Sequence, residues 1–253
     1  NVIIPQFTDE LKDLVVNEAG KGFNWANISP TIFGAVFEST LNPDTRREGG
    51  MHYTSIENIH KVIDPLFLND LNDEFDKIQN IPNARDRVAS AKEFQDKLAK
   101  FKLFDPACGS GNFLTETYLS LRKMENKCLR IIVGNNSALN LDSDIRVKVK
   151  IQNYYGIEIN DFAVSVARTA MWIAESQMWD ESQNIIFSQE DFLPLDSNDS
   201  IYEGNALRMN WEDIVKPYEL NYIMGNPPFV GYKQQEQSQK DDMQALNIPS
   251  KSV

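Results

Sequence analysis

The chain has 253 residues, 42% of them hydrophobic and 25% charged, enough for one large domain or for a domain with a helical extension. A mean hydropathy of −0.42, with no apolar run near the roughly 20 residues a bilayer requires, excludes a membrane-spanning protein. Two cysteines, Cys108 and Cys128, exclude a disulfide scaffold or a multi-cysteine zinc site and suit a reducing cytoplasm.

Thirty-seven acidic against 25 basic side chains give a formal charge of −12. Residues 180–253 are the most one-sided, with 13 acidic and 5 basic. DNA binding rests largely on neutralising phosphates, so this balance argues against a self-sufficient DNA-binding module. It leaves room for an enzyme whose grip on DNA lies elsewhere in a longer chain. The opening NVIIPQFTDE has no basic leader and no signal-type apolar core, so the sequence is expected to be a mature or excised segment of a cytoplasmic protein.

Residues 1–100 read as a helical N-terminal extension. Apolar residues fall at helical spacing: Leu11, Leu14 and Val15, then Ile32, Phe33, Val36 and Phe37, then Ile59, Val62, Ile63 and Leu66. Residues 101–233 read as an α/β core. Phe101–Asp105 is a short buried strand, followed by a glycine-rich turn and a helix with Phe113, Leu114, Tyr118 and Leu121 on one face. Residues 122–150 form a basic insertion whose Arg122, Lys123, Lys127, Arg130, Arg146, Lys148 and Lys150 suit a solvated face.

A second strand is expected over Tyr154–Ile159 and a helix over Asp161–Met178, packing through Phe162, Val166, Ala170 and Ile173. Ser200–Glu203 and Leu220–Met224 supply a third and a fourth strand. Strands alternating with helices imply a parallel, doubly wound sheet. Residues 234–253 read as a flexible polar tail. The four tryptophans suit packing anchors, and His52 and His60 are too few for a metal site.

The turn Asp105-Pro106-Ala107-Cys108-Gly109-Ser110-Gly111-Asn112-Phe113 lies where a strand's carboxyl end meets a helix, the ligand-binding position of such sheets. No Gly-Lys-Ser/Thr follows, which excludes a phosphate-binding P-loop. A dinucleotide fingerprint fails because its third glycine would fall at Leu114. The ligand is therefore expected to lack a pyrophosphate. Glu158, closing the second strand, is placed to accept from both hydroxyls of a ribose, though a plain strand-end carboxylate fits the position equally. Asn205, after the third strand, offers an amide that can read an adenine edge, or simply makes a turn.

Gly225-Asn226-Pro227-Pro228-Phe229 is the most informative stretch. Two prolines stiffen the loop and remove two N–H donors while keeping both carbonyls. The Asn226 side-chain oxygen and the Pro227 carbonyl then give two acceptors that suit a planar NH2 group. Accepting both N–H bonds localises the lone pair of an exocyclic amine and stabilises the positive charge that develops on methylation. Phe229 can stack on the ring, as aromatic residues do with bases drawn from a duplex. Cys108 has no neighbouring general base in the sequence, which counts against cytosine-C5 chemistry.

These two motifs together resemble the motif pair of amino-group DNA methyltransferases of the adenine-N6 type, in the gamma order with the cofactor motif first. Gly49-Gly50-Met51-His52-Tyr53-Thr54 is similar to the family's preceding motif. The helical leader and Leu193-Pro194-Leu195 resemble MmeI-like restriction–modification fusions. The resemblance spans about residues 25–253.

It implies a Rossmann-like class I methyltransferase sheet and S-adenosylmethionine as methyl donor, with S-adenosylhomocysteine as product and no metal. Thr54 would meet the donor's methionine carboxylate. Asp105, Ala107, Gly109, Gly111, Asn112 and Phe113 would line its methionine portion, Glu158 the ribose and Asn205 the adenine. Asn226 borders both sites and would act with Pro227 and Phe229 on a flipped adenine in double-stranded DNA. The family sheet has seven strands and four are countable here, so the domain is expected to be incomplete. Glutamine-N5 transfer to protein, cytosine-N4 transfer and a cofactor-binding scaffold without turnover remain alternatives.

Overall fold

A computed structural model describes residues 7–21, 28–40, 54–134, 145–186, 200–231 and 233–246. The upstream motif through Tyr53, His52 included, Trp25, Phe37's side chain and the Leu193-Pro194-Leu195 run lie outside the described residues. Helix α1 (Asp9–Asp13) continues into wider turns over Leu14–Lys21, and α2 covers Pro30–Thr40. Helix α3 (Ile56–Ile63) passes through a π-type stretch, Asp64–Leu68, into α4 (Asn69–Gln79). Pro65 accounts for the widening, since it lacks an N–H and its ring crowds the preceding turn. Helix α5 (Ala84–Ala99) begins where Asn83 accepts from the backbone N–H groups of Arg85 and Asp86.

The core then alternates β1 (Leu103–Asp105), α6 (Asn112–Val133), β2 (Tyr154–Glu158), α7 (Asp161–Ile186), β3 (Ile201–Glu203) and β4 (Tyr222–Ile223). The four strands form one parallel sheet in the order β3-β2-β1-β4. All four expected strands are present, trimmed at their ends, and the helix expected over 161–178 runs on to Ile186. The chain steps from β1 to β2 to β3 in one direction and returns to the other side of β1 for β4. That reversal opens a crevice at the carboxyl ends of β1 and β4, the usual ligand position in doubly wound sheets. Among the described residues no helix is long and apolar enough to cross a membrane.

The main core joins Ile59, Ile63, Phe67 and Phe75 of the N-terminal helices to Leu103, Leu114, Tyr118, Tyr154 and Met171. The helical extension is thus packed into the same core as the sheet. Several positions chosen by periodicity differ. Leu11, Leu14, Val15, Ile32, Val36, Val62 and Leu66 are exposed, while Phe33, Ile59 and Ile63 are buried. Phe162, in the first turn of α7, is also exposed, whereas Val166 and Ala170 pack inward. Trp211 meets Phe104 edge-on, as expected of an anchor.

Two further corrections concern polar segments. The stretch from Arg122 onward is no separate insertion at first: α6 runs unbroken to Val133, and Arg122 is 1% exposed. Its guanidinium pairs with Glu125 and donates to the Met178 carbonyl and the Ser182 hydroxyl. Glu125 Oε1 also accepts from Gln95 Nε2 (2.8 Å) and from the backbone N–H groups of Lys148 (2.6 Å) and Val149 (3.2 Å). One carboxylate therefore ties α5, α6 and the approach to β2 together, and Arg122 extends the tie to α7. The polar tail, in turn, contains a helix, α8 (Gln237–Ala245), started by a reciprocal pair between Glu236 and Gln239.

Glu125→Ala strands a buried guanidinium and three donors, and is expected to cost about 3–5 kcal/mol of stability. The paired change Arg122→Met with Glu125→Leu should recover part of that loss. Urea unfolding of the three proteins measures both; equal losses in single and double variants would show that the ion pair is not the reason.

Candidate functional site

The glycine turn owes its shape to three local features. Asp105 Oδ1 accepts from the Ala107 N–H at 3.0 Å, and the Gly111 N–H donates to the Cys108 carbonyl at 2.8 Å. Gly109 and Gly111 take φ of 54° and 79°, left-handed values that favour glycine. A Cβ on Gly111 would also lie 3.0 Å from that of Ala167, so this glycine lets α6 start against α7. Helix α2 closes on the turn from outside: a Cβ on Gly34 would sit 2.8 Å from the Ser110 side chain.

Glu158 lies beside the turn and is 8% exposed. Its Oε2 accepts from the Gly109 N–H (3.0 Å) and its Oε1 from the Asn160 N–H (2.9 Å). Each carboxylate oxygen has room for a second donor. Asp105 is buried beneath the turn. Burial pushes its carboxyl up to about 7, the Ala107 N–H opposes this, and the charge of Glu158 adds to it. Burial also raises the Cys108 thiol well above its ordinary value, with Asp105 and Glu158 adding to the rise. A thiol so held is not a nucleophile.

The diproline loop leaves β4 directly over Asp105. A Cβ on Gly225 would stand 2.2 Å from Asp105 Oδ1, so only glycine allows the loop this close to the turn. Asn226 Nδ2 donates to Thr54 Oγ1 at 3.2 Å across 172 residues of sequence. That bond brings the end of the upstream motif to the diproline loop. Asn226, Pro227, Pro228 and Phe229 are all exposed, and Phe229 reaches 87%.

Asn205 stands just beyond β3, one residue after Gly204, whose N–H donates to the Glu158 carbonyl at 2.9 Å. Its Oδ1 accepts from the Leu207 N–H and its Nδ2 donates to Asp242 of α8, both at 2.9 Å. Exposed apolar side chains border this corner: Ile159 and Leu207, with Phe162 at the start of α7. The Phe113 ring is buried in the core, so only its backbone faces the turn. Asn112 is buried too, and its Oδ1 has no hydrogen-bond partner among the described residues.

Sequence reasoning missed Gly225, Asp242 and a junction around Glu116. Buried Glu116 accepts from Thr31 of α2 at 3.2 Å and faces His60 Nε2 of α3 at 3.2 Å, while His60 Nδ1 faces Asp64 at 2.7 Å. Burial lowers the imidazole's pKa, but the bonds to Asp64 and Glu116 outweigh it and raise the value overall. His60 is thus a helix-to-helix contact. The glycine at 225 was visible as a residue type, but nothing local marked its approach to Asp105.

Fold and site together define an α/β methyltransferase domain, and the chain belongs to the family of MmeI DNA-methyltransferase domains, which matches residues 81–252. It is 39% identical over 247 residues to DNA methyltransferase A of Bacillus subtilis, covering 95% of this chain and 26% of that protein. It is 24% identical over 160 residues to the adenine-specific methyltransferase PglX of Streptomyces coelicolor, covering 53% of this chain and 12% of that one. The solved type IIL restriction-modification enzyme MmeI in complex with DNA superposes with a TM-score of 0.83 at 35% identity, over 98% of this chain and 32% of that one. The chain therefore spans about a quarter of the Bacillus protein and about a third of MmeI.

Asp105 keeps its proton in the folded chain up to about pH 7 but loses it near 3.8 when unfolded. The folded state then binds more protons within that window, so stability is expected to fall as pH rises through it, by at most about 1.4 kcal/mol per pH unit. Asp105→Asn should flatten this slope. Urea midpoints at pH 5 and pH 7 test it, and an unchanged slope in the variant would remove Asp105 as its source.

Proposed function

We propose that this chain is the S-adenosylmethionine-binding and catalytic part of a site-specific DNA adenine-N6 methyltransferase in a restriction–modification or phage-defence protein. The observation that carries the proposal is the bond from Asn226 to Thr54 at the sheet's reversal point. With Nδ2 committed to Thr54, the Asn226 Oδ1 and the Pro227 carbonyl are left as acceptors beside the glycine turn. No donor is bonded to either among the described residues.

The residues present fit the donor. Asn112 Oδ1, a buried acceptor without a partner among the described residues, suits the ammonium of an amino acid. The second lone pairs of Glu158 suit two ribose hydroxyls, and Ile159, Phe162 and Leu207 offer apolar surface to a purine. Thr54 Oγ1 accepts from Asn226 and keeps its own proton to donate to a carboxylate. When bound, the sulfonium supplies an electrophilic methyl carbon with a neutral thioether as leaving group.

The chain's own residues then position the acceptor. Asn226 Oδ1 and the Pro227 carbonyl take both N–H bonds of the amine and stabilise its charge as the new C–N bond forms, after which the nitrogen gives up one proton to water. Phe229, exposed and without a ring partner among the described residues, suits stacking on a base drawn out of the duplex. Holding both reactants in line is the main task, so no metal is required. The name of the Streptomyces relative favours adenine over cytosine. The acidic charge of this segment fits a protein whose DNA-gripping surface lies in another part.

In the intact protein, Asn226→Ala should reduce methyl transfer by about 10²–10³-fold or more, with S-adenosylmethionine affinity within about threefold of wild type. Labelled methyl transferred to DNA and digested to nucleosides should appear as N6-methyldeoxyadenosine. Label in N4-methyldeoxycytidine or in methylglutamine would transfer the assignment to the rival chemistries. Wild-type turnover by Asn226→Ala would refute the mechanism.

A further inference from the structure

Helix α8 belongs to a polar stretch that the methyl-transfer reading leaves without a role, yet one of its carboxylates is only 9% exposed. Asp242 Oδ2 accepts from Asn205 Nδ2 at 2.9 Å, and Asp242 Oδ1 accepts from Arg208 Nε at 2.6 Å. On its other side the Asn205 amide is held by the Leu207 N–H, donated to Oδ1 at 2.9 Å. The turn beneath is fixed by the N–H groups of Arg208 and Met209, both donated to the Asn205 carbonyl, and by Trp211 Nε1 donated to the Ala206 carbonyl at 2.8 Å.

The geometry points to Asp242 as a positioning residue that sets the polarity of the Asn205 amide and through it the choice of an adenine over other purines in the methyl donor. This rests on the reading of Asn205 as the group facing the donor's base. A side-chain amide is nearly symmetric in shape and turns over readily when its neighbours can answer both ends. An ionised carboxylate accepts and never donates, and a backbone N–H donates and never accepts. Turning the Asn205 amide over would set oxygen against the Asp242 carboxylate and N–H against the Leu207 N–H.

The amide is therefore locked, with one N–H of Nδ2 and one lone pair of Oδ1 left for a ligand. Arg208 completes the lock, since its bond to Asp242, with that of Asn205, lowers the carboxyl's pKa and keeps it an acceptor. An adenine edge offers a donor at its 6-amino group beside a ring-nitrogen acceptor. A hypoxanthine carries a carbonyl acceptor at that position and a protonated N1, the opposite polarity. A locked amide satisfies one of these bases, whereas an amide free to turn satisfies either.

The test is calorimetric binding of S-adenosylhomocysteine and its inosine counterpart, S-inosylhomocysteine, to the full-length protein and its variants. Wild type should prefer the adenosine compound by at least about tenfold. Asp242→Asn, which removes one of the two one-way partners and leaves the Leu207 N–H as the remaining bias on the Asn205 amide, should lower the ratio at least about threefold. Arg208→Met, which loosens the carboxylate without touching the amide, should lower the ratio less. A ratio unchanged in both variants, with the two affinities falling together, overturns the proposal and leaves Asp242 a structural tie. Asn205→Ala separates the underlying reading: weaker binding of S-adenosylhomocysteine supports Asn205 as the base reader, while wild-type binding removes that assignment and the proposal with it.

Discussion

The closest constraint in the site is the approach of Gly225 to the buried carboxyl of Asp105, where any Cβ would overlap an oxygen. Asp105 ends β1 and, through the Ala107 N–H, shapes the glycine turn. Gly225 ends β4 and opens the diproline loop. Because β1 and β4 are parallel neighbours, Leu103 facing Tyr222 and Phe104 facing Ile223, both turns leave the sheet at the same edge. Their separation is then set by the thinnest contact a backbone can make. A bulkier residue at either point would push the acceptors of Asn226 and Pro227 away from the turn, and transfer between two bound groups depends steeply on such distances.

The helical extension serves the same geometry from outside the sheet. Its core residues are shared with the α/β layer, so α3 and α5 are part of one packing unit. Glu116, on the first turns of α6, receives Thr31 from α2 and faces His60 on α3. Helix α2, which closes on the glycine turn, and α3, which begins just after Thr54, are thereby joined to the helix that the turn begins. Thr54 itself precedes the N-cap Ser55 of α3, so the bond to Asn226 leads through a capped helix end rather than a free loop.

What could be read from the sequence follows the range of each interaction. The glycine turn and the diproline loop are legible because their residue types dictate local backbone shape. The parallel strands are legible because buried apolar runs alternate with helical periods. Periodicity failed at Leu11, in a helix with no buried residue, and at Val62 and Phe162, each exposed beside a buried neighbour on its own helix. It failed differently at Arg122, which looked like one of a row of solvated cations. Its partners Glu125 and Ser182 stand 3 and 60 residues away, and only the packing of α6 on α7 turns that charge inward. Asp242 was hidden for the same reason: a carboxylate in a glutamine-rich run has no local mark of a partner 37 residues earlier.

Two asparagine amides stand just beyond the carboxyl ends of β3 and β4, and the fold orients both with distant side chains of different character. Asp242 can only accept, so its hold on Asn205 does not depend on what else is bound. Thr54 can accept or donate, so it holds Asn226 Nδ2 only while its own proton points elsewhere. On the proposed reading that elsewhere is the carboxylate of the methyl donor. The base-reading amide is then preset, whereas the catalytic amide is set firmly only when the donor is in place. Such an arrangement keeps the paired acceptors for the target amine least well formed when there is no methyl group to transfer, and it does so with a single hydroxyl.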